Sequence, residues 1–179
     1  MNGFGGQNTK AVLGRTPLCL AFLVLSVFFA GCVDQDLTLP TSGEVENAYL
    51  YPGGLEARMR GNVAEVTITQ AARDLRKGGT LWAKVGPYVL LFSEETEGLF
   101  TGFPGLAGVR VITVSSDGNE VARALLARDS LNGITWRRAL HIAGLARRDG
   151  TRRPSLLEEL VDWGEDHTEY TYDHRYSRP

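Results

Sequence analysis

The stretch VRVITVSSDGNEVARALLAR, residues 109–128, constrains the fold more than any other part of the chain. Apolar and polar residues alternate from Val109 and again from Val121, and between the two runs stands Asp117-Gly118. Period-2 alternation puts successive side chains on opposite faces of a strand, and Asp-Gly accepts the left-handed backbone of a tight turn, so the stretch predicts a β-hairpin. LEARMRGNVAEVTI repeats the logic. Leu55, Ala57 and Met59 alternate with charged residues, Gly61-Asn62 follows, and Ala64, Val66 and Ile68 alternate after it.

Between the hairpins, Thr69 is placed to cap a short helix, QAARDLRK, that Gly78-Gly79 would end. LWAKVGPYVLLFS is apolar and aromatic with Gly86-Pro87 in its middle, which predicts two short strands or one bent strand. Ser93 before EETE reads as a helix cap followed by an acidic first turn, and FTGFPGLAG reads as a loop. Beyond the second hairpin, NGITWRRALHIAGLARRDG takes helical spacing through Trp136, Leu140, Ile142 and Ala143 and stops at Gly150. A further helix is expected after Pro154, opened by a capping box of Ser155 and Glu158 and ending near Trp163. HTEYTYD alternates again, as a final edge strand would. These elements predict one α+β domain over residues 48–175, with a mostly antiparallel sheet, two hairpins and three to four helices.

The N-terminal region has a different character. Its only ionisable side chains before Thr16 are Lys10 and Arg15, the 18 residues from Thr16 to Val33 carry no charge, and the run LVLSVFFAGCVDQD stops at Cys32 behind Ala30-Gly31. A basic start, an apolar middle and a small-residue exit form a secretory signal, though 18 uncharged residues are also long enough for a tilted membrane helix. Phe29-Ala30-Gly31-Cys32 resembles the lipobox of bacterial lipoproteins, with Phe29 where leucine is usual. The resemblance covers residues 1–32 only and implies a signal peptide over residues 1–31, lipidation of Cys32 and a membrane anchor of several acyl chains. Val33 after the cysteine would then resemble an outer-membrane address facing the periplasm in a diderm host. Residues 32–47, VDQDLTLPTSGEVEN after the cysteine, read as a flexible tether.

On that reading Cys19 leaves with the signal and Cys32 is consumed by lipid, so the mature chain has no disulfide and no thiol chemistry. The 19 basic and 21 acidic residues become 17 and 21, a balance that gives no argument for nucleic acid, which the expected compartment also lacks. No phosphate loop, dinucleotide fingerprint, nucleophile elbow or zinc spacing is present.

Three constellations are left as candidate sites. Arg137, Arg138, Arg147, Arg148, Arg152 and Arg153 fall close together with only Asp149 against them, and planar guanidinium groups suit phosphate headgroups or an acidic protein surface. The blander expectation is that this basic stretch lies against the acidic segment that follows it, or simply faces water. In DWGEDHTEYTYDH, an extended strand would put His167, Glu169 and Asp173 on one face as weak metal candidates, against the plainer reading of a solvated acidic edge. His141 stands alone, as a boundary residue would. Of the aromatics Trp82, Tyr88, Phe92, Phe100 and Phe103, most read as core, and Phe103 between Gly102 and Pro104 is the one expected to point outward. The expectation is therefore a membrane-anchored envelope lipoprotein that binds or assembles with an envelope protein, non-catalytic and without a cofactor. The alternative is an envelope enzyme, a metal-assisted hydrolase built on the His/Asp/Glu-rich C-terminal segment.

Overall fold

The computed structural model describes residues 37–49, 51 and 53–177, and the side chains of these except at 72 and 74–79. The order is α1 (Ser42–Ala48), β1 (Leu55–Arg60), β2 (Val63–Gln70), α2 (Ala72–Leu91), α3 (Glu94–Gly102), β3 (Gly108–Ser115) and β4 (Glu120–Ala127). A single 3-10 turn (Arg128–Ser130) leads to α4 (Gly133–Asp149), α5 (Ser155–His167), β5 (Glu169–Tyr172) and α6 (His174–Ser177).

Five strands form one sheet in the order β1-β2-β3-β4-β5. All neighbours are antiparallel except β2 and β3, which run parallel because α2 and α3 cross between them. This is the α+β domain with a mostly antiparallel sheet that the sequence predicts. Both hairpins form where expected. Arg60 pairs with Val63 across a two-residue turn in which Gly61 takes φ +62°, and Gly118 takes φ +78° in the loop joining β3 to β4.

One sheet face is core. Ala64, Val66 and Ile68 of β2, Val109 and Val111 of β3, and Ala122, Ala124 and Leu126 of β4 are all buried. The opposite face carries Glu65, Thr67, Arg110, Ile112 and Leu125, each half-buried, with Arg110 bonded to Glu65 at 3.3 Å. The helices supply the other layer, and α2 lies at its centre against β2, β3, β4 and α5.

That central helix corrects the expectation of two strands or one bent strand after Gly78-Gly79. The backbone stays helical for 20 residues from Ala72 to Leu91, through both glycines and Pro87. The cause is burial along its second half: Ala83, Val85, Tyr88, Leu90 and Leu91 are inside and no residue from Thr80 to Leu91 is exposed, and an apolar run of this kind suits a buried strand or a buried helix. Gly86 is there for contact rather than for a turn, since a Cβ at that position would sit 2.7 Å from Thr113 Cγ2. Gly164 of α5 does the same against the Tyr88 ring, at 2.5 Å.

The tether is corrected as well. Thr41 and Glu44 close a capping box on α1, with the Glu44 backbone N–H donating to Thr41 Oγ1 at 3.2 Å and Thr41 N–H donating to Glu44 Oε2 at 2.8 Å. Those bonds hold the Glu44 carboxyl below its usual range. Val45 is fully buried, Glu46 Oε1 accepts the Ala57 N–H of the sheet edge at 2.9 Å, and Tyr49 bonds Thr96 through its hydroxyl at 2.7 Å. Residues 42–49 therefore belong to the folded domain, and the domain begins before residue 48.

At the far edge β5 pairs Tyr170 with Ala124 and Tyr172 with Ala122, which turns both tyrosines to the core side. Tyr172 and Tyr88 share a 2.5 Å hydroxyl–hydroxyl bond, Lys84 Nζ lies 5.0 Å from the Tyr172 ring centre, and Lys84 pairs with Glu165 at 3.4 Å. Burial pushes the Tyr88 phenol up to about 12 and raises Tyr172 further. A phenol whose pKa is higher in the folded state stabilises fully below the free tyrosine value near 10, and that stabilisation is lost as pH rises through the folded value. The domain is therefore expected to lose stability between pH about 10 and about 12, and Tyr172→Phe to make the loss shallower, as read by circular dichroism against pH. An unfolding midpoint unchanged through that window would contradict the buried pair.

Candidate functional site

A helix of 3.6 residues per turn cannot present six arginines to one surface, and the structure divides them. All six are exposed. Arg137 and Arg148, three turns apart, share an outer stripe of α4, and Arg148 pairs with the neighbouring Asp149 at 2.9 Å. Arg152 and Arg153 lie in the short connection to α5, where both backbone N–H groups donate to the Asp149 carbonyl at 2.9 Å.

Arg138 points toward α5, its guanidinium 4.7 Å from the Trp163 ring centre. It borders a shallow groove of about 320 Å³ lined also by Glu158, Glu159, Asp162 and Asp166. Among the described residues no ion pair closes between these acids and the α4 arginines, and of those arginines Arg138 borders the groove. Arg147 lies on a different side, at a smaller hollow of about 190 Å³ with Tyr49, Tyr51, Val89, Leu90 and Glu95. That hollow exists only because α1 is folded, and reading Thr41 and Glu44 as a capping box would have pointed to it.

The three metal candidates are not brought onto one strand face. Helix α5 continues past Trp163 to His167, so His167 is helical, Glu169 opens β5 and Asp173 lies beyond its end. The α5 N-terminus also differs from expectation: Pro154 takes the cap position with no side-chain bond, and Ser155 is already the first helical residue. Asp173 is committed to Arg175 at 2.7 Å, which holds its carboxyl below the usual range. Among the described residues no three His, Cys, Asp or Glu side chains come together as a metal ion would need.

His167 has a more particular environment. Its ring stacks on Trp163 at 4.1 Å, and its Nδ1–H donates to the Trp163 carbonyl at 2.9 Å, because a carbonyl can only accept. His167 borders a groove of about 310 Å³ with Ser130, Asp166 and Glu169, but no hydrogen bond joins Ser130 to His167 among the described residues. His141 is exposed on α4. Phe103 is half-buried and packs on the core, and its carbonyl accepts from Arg128. The expectation that it points outward is corrected by that packing.

The stretch expected to be a signal, Cys32 and the first residues after it lie outside the described residues. Among those described, no helix is long and apolar enough to cross a membrane. Comparison with family models, curated proteins and solved structures gives no match.

Proposed function

We propose that this chain is a bacterial envelope lipoprotein, anchored through Cys32 and non-catalytic, whose folded domain binds or assembles with an envelope protein. The observation that carries the reading is the placement of Ala30-Gly31-Cys32 directly after a run of uncharged residues. A diacylglycerol plus an amide-linked chain on one cysteine gives several acyl chains, which is what firm anchoring requires, since one chain binds only marginally.

The domain's surface favours a macromolecular partner over a small substrate. The grooves beside His167 and beside Arg138 are open and border charged side chains, whereas small-molecule sites are enclosed and mostly apolar. The half-buried sheet face with Glu65, Arg110, Ile112 and Leu125 offers paired charges around apolar residues, the composition of a non-obligate contact. The metal-assisted hydrolase has no comparable support, because His167, Glu169 and Asp173 sit on three separate segments.

Intact mass of the protein extracted from bacterial membranes tests the reading. A chain beginning at Cys32 with acyl mass added is expected. A chain beginning at Met1, or at Cys32 without added mass, would sink it.

A further inference from the structure

We propose that the end of the sheet carrying Leu37, Leu39 and Ile134 rests on the bilayer that holds Cys32, so that the domain stands in one orientation. The inference rests on the anchor reading above and adds a surface to it.

The number of residues between Cys32 and the described fold is the first argument. Four residues, 33–36, separate Cys32 from Leu37. Fully extended, the five steps from Cys32 to Leu37 span at most about 18 Å. A chain of this size has a radius of gyration near 15 Å and so a diameter of about 40 Å, more than twice the leash.

The second argument is that the leash ends on the domain at Leu37. Gly105 N–H donates to the Thr38 carbonyl at 3.0 Å, and a Cβ at Gly105 would meet the Leu37 carbonyl oxygen at 2.2 Å. Pro40 is buried, and α1 follows at once. Nothing between Leu37 and Thr41 is slack that could let the domain swing away.

Third, the seat of the leash is also where large apolar side chains are left in water. Leu37, Leu39, Ile134 and Tyr170 are the exposed large hydrophobics among the described residues, at 70%, 42%, 71% and 43%. Ala107 N–H donates to Asn62 O and Arg128 N–H to Ala107 O, so the Gly61-Asn62 turn, the 103–107 loop and the end of β4 are neighbours at this end. Ile134 follows six residues after Arg128, at the start of α4. A single exposed leucine is ordinary, but two leucines and an isoleucine at the point where a lipid leash attaches are placed to enter the interface. Apolar contact rather than charge would do the work, since Asp34 and Asp36 lie in the leash and Asp129 beside Arg128 is exposed.

The orientation has a consequence for the arginines. Helix α5 returns from Ser155 to His167, beside Leu125 and Ala127 at this same end, so the α4–α5 connection is at the other. Arg147, Arg148, Arg152 and Arg153 are then a helix length, about 20 Å, from the bilayer surface, available to a protein rather than to headgroups.

The test uses the full lipidated protein in vesicles containing a headgroup-nitroxide lipid, with a fluorophore on Ile134→Cys or on Asp117→Cys. Labelling is specific because acylation leaves Cys32 without a thiol and Cys19 is removed with the signal. Eight residues of β3 separate the two ends by about 26 Å. Quenching several-fold stronger at position 134 than at 117 is expected, falling when Leu37→Ser and Leu39→Ser are added. Equal quenching, or stronger quenching at 117, overturns the orientation. The mass of the Cys32 peptide from the same sample separates the two failures: acylated Cys32 with equal quenching refutes the orientation alone, and unmodified Cys32 refutes the anchor and the orientation together.

Discussion

Val45→Asp is expected to destabilise the domain by about 4 kcal/mol or more and to lower its melting temperature by roughly 10 °C or more. The side chain is fully buried against the sheet, and a carboxylate placed there would have no partner. The measurement is thermal unfolding beside Asn47→Asp, an acid introduced on the exposed side of the same helix, which should stay within about 0.5 kcal/mol of the parent. Val45→Ala should fall between, at about 2 kcal/mol for two methyl groups and the cavity they leave. If residues 42–48 were a tether, all three variants would behave alike. The pattern across the three therefore decides whether residues 42–48 belong to the folded domain.

Why that helix escapes a reading of the sequence is instructive. Seven residues are too few to be stable alone, and α1 carries one apolar side chain that docks, so it has no period to read. Its stability comes from the sheet, through Val45 and the Glu46 bond to Ala57, and from Tyr49 on Thr96. Only the capping box is local. The hairpins are the reverse case: Gly61-Asn62 and Asp117-Gly118 state the turn, the alternation states the register, and both are read directly. Helix α3 announces itself through Ser93, whose side chain accepts a free N–H group of the first turn, and α4 through the helical spacing of Trp136, Leu140, Ile142 and Ala143; the Asn132 cap of α4 is seen in the structure.

Helix α2 was hidden by its success as a core element. Leu81 to Leu91 is apolar enough to suit a buried strand or a buried helix, and Gly86-Pro87 reads as a break, whereas Gly86 lets α2 approach β3. The candidate sites failed to transfer for a geometric reason. Arginines adjacent in sequence diverge around a helix, and His167 joins α5 rather than β5, which removes it from the face shared by Glu169.

Arg128→Met is expected to cost about 3 kcal/mol, or a melting temperature lower by roughly 10 °C. The guanidinium of Arg128 donates through Nε to the Leu106 carbonyl at 2.6 Å, through Nη1 to Phe100 at 2.5 Å and through Nη2 to Phe103. Two of those carbonyls belong to the last turn and cap of α3, where a helix leaves its C=O groups without internal partners and its dipole favours a cation. The side chain also lies over the Phe100 ring at 5.2 Å. Methionine keeps the length and much of that packing but removes every donor and the charge, so the loss measures the guanidinium as a whole. Lysine restores the charge as a point rather than a planar fork and should recover only part of it. Hydrogen exchange supplies the structural readout: the Gly105 and Ala107 amides, bonded to Thr38 and Asn62, should exchange faster in Arg128→Met, while the Val111 amide in the sheet centre follows only global stability. A variant within about 0.5 kcal/mol of the parent would mean that water satisfies the three carbonyls as well as Arg128 does. The same loop seats Leu37, so under the proposed orientation a loosened Arg128→Met loop should also weaken the difference in quenching between positions 134 and 117, joining the stability of one half-buried cation to the proposed bilayer contact.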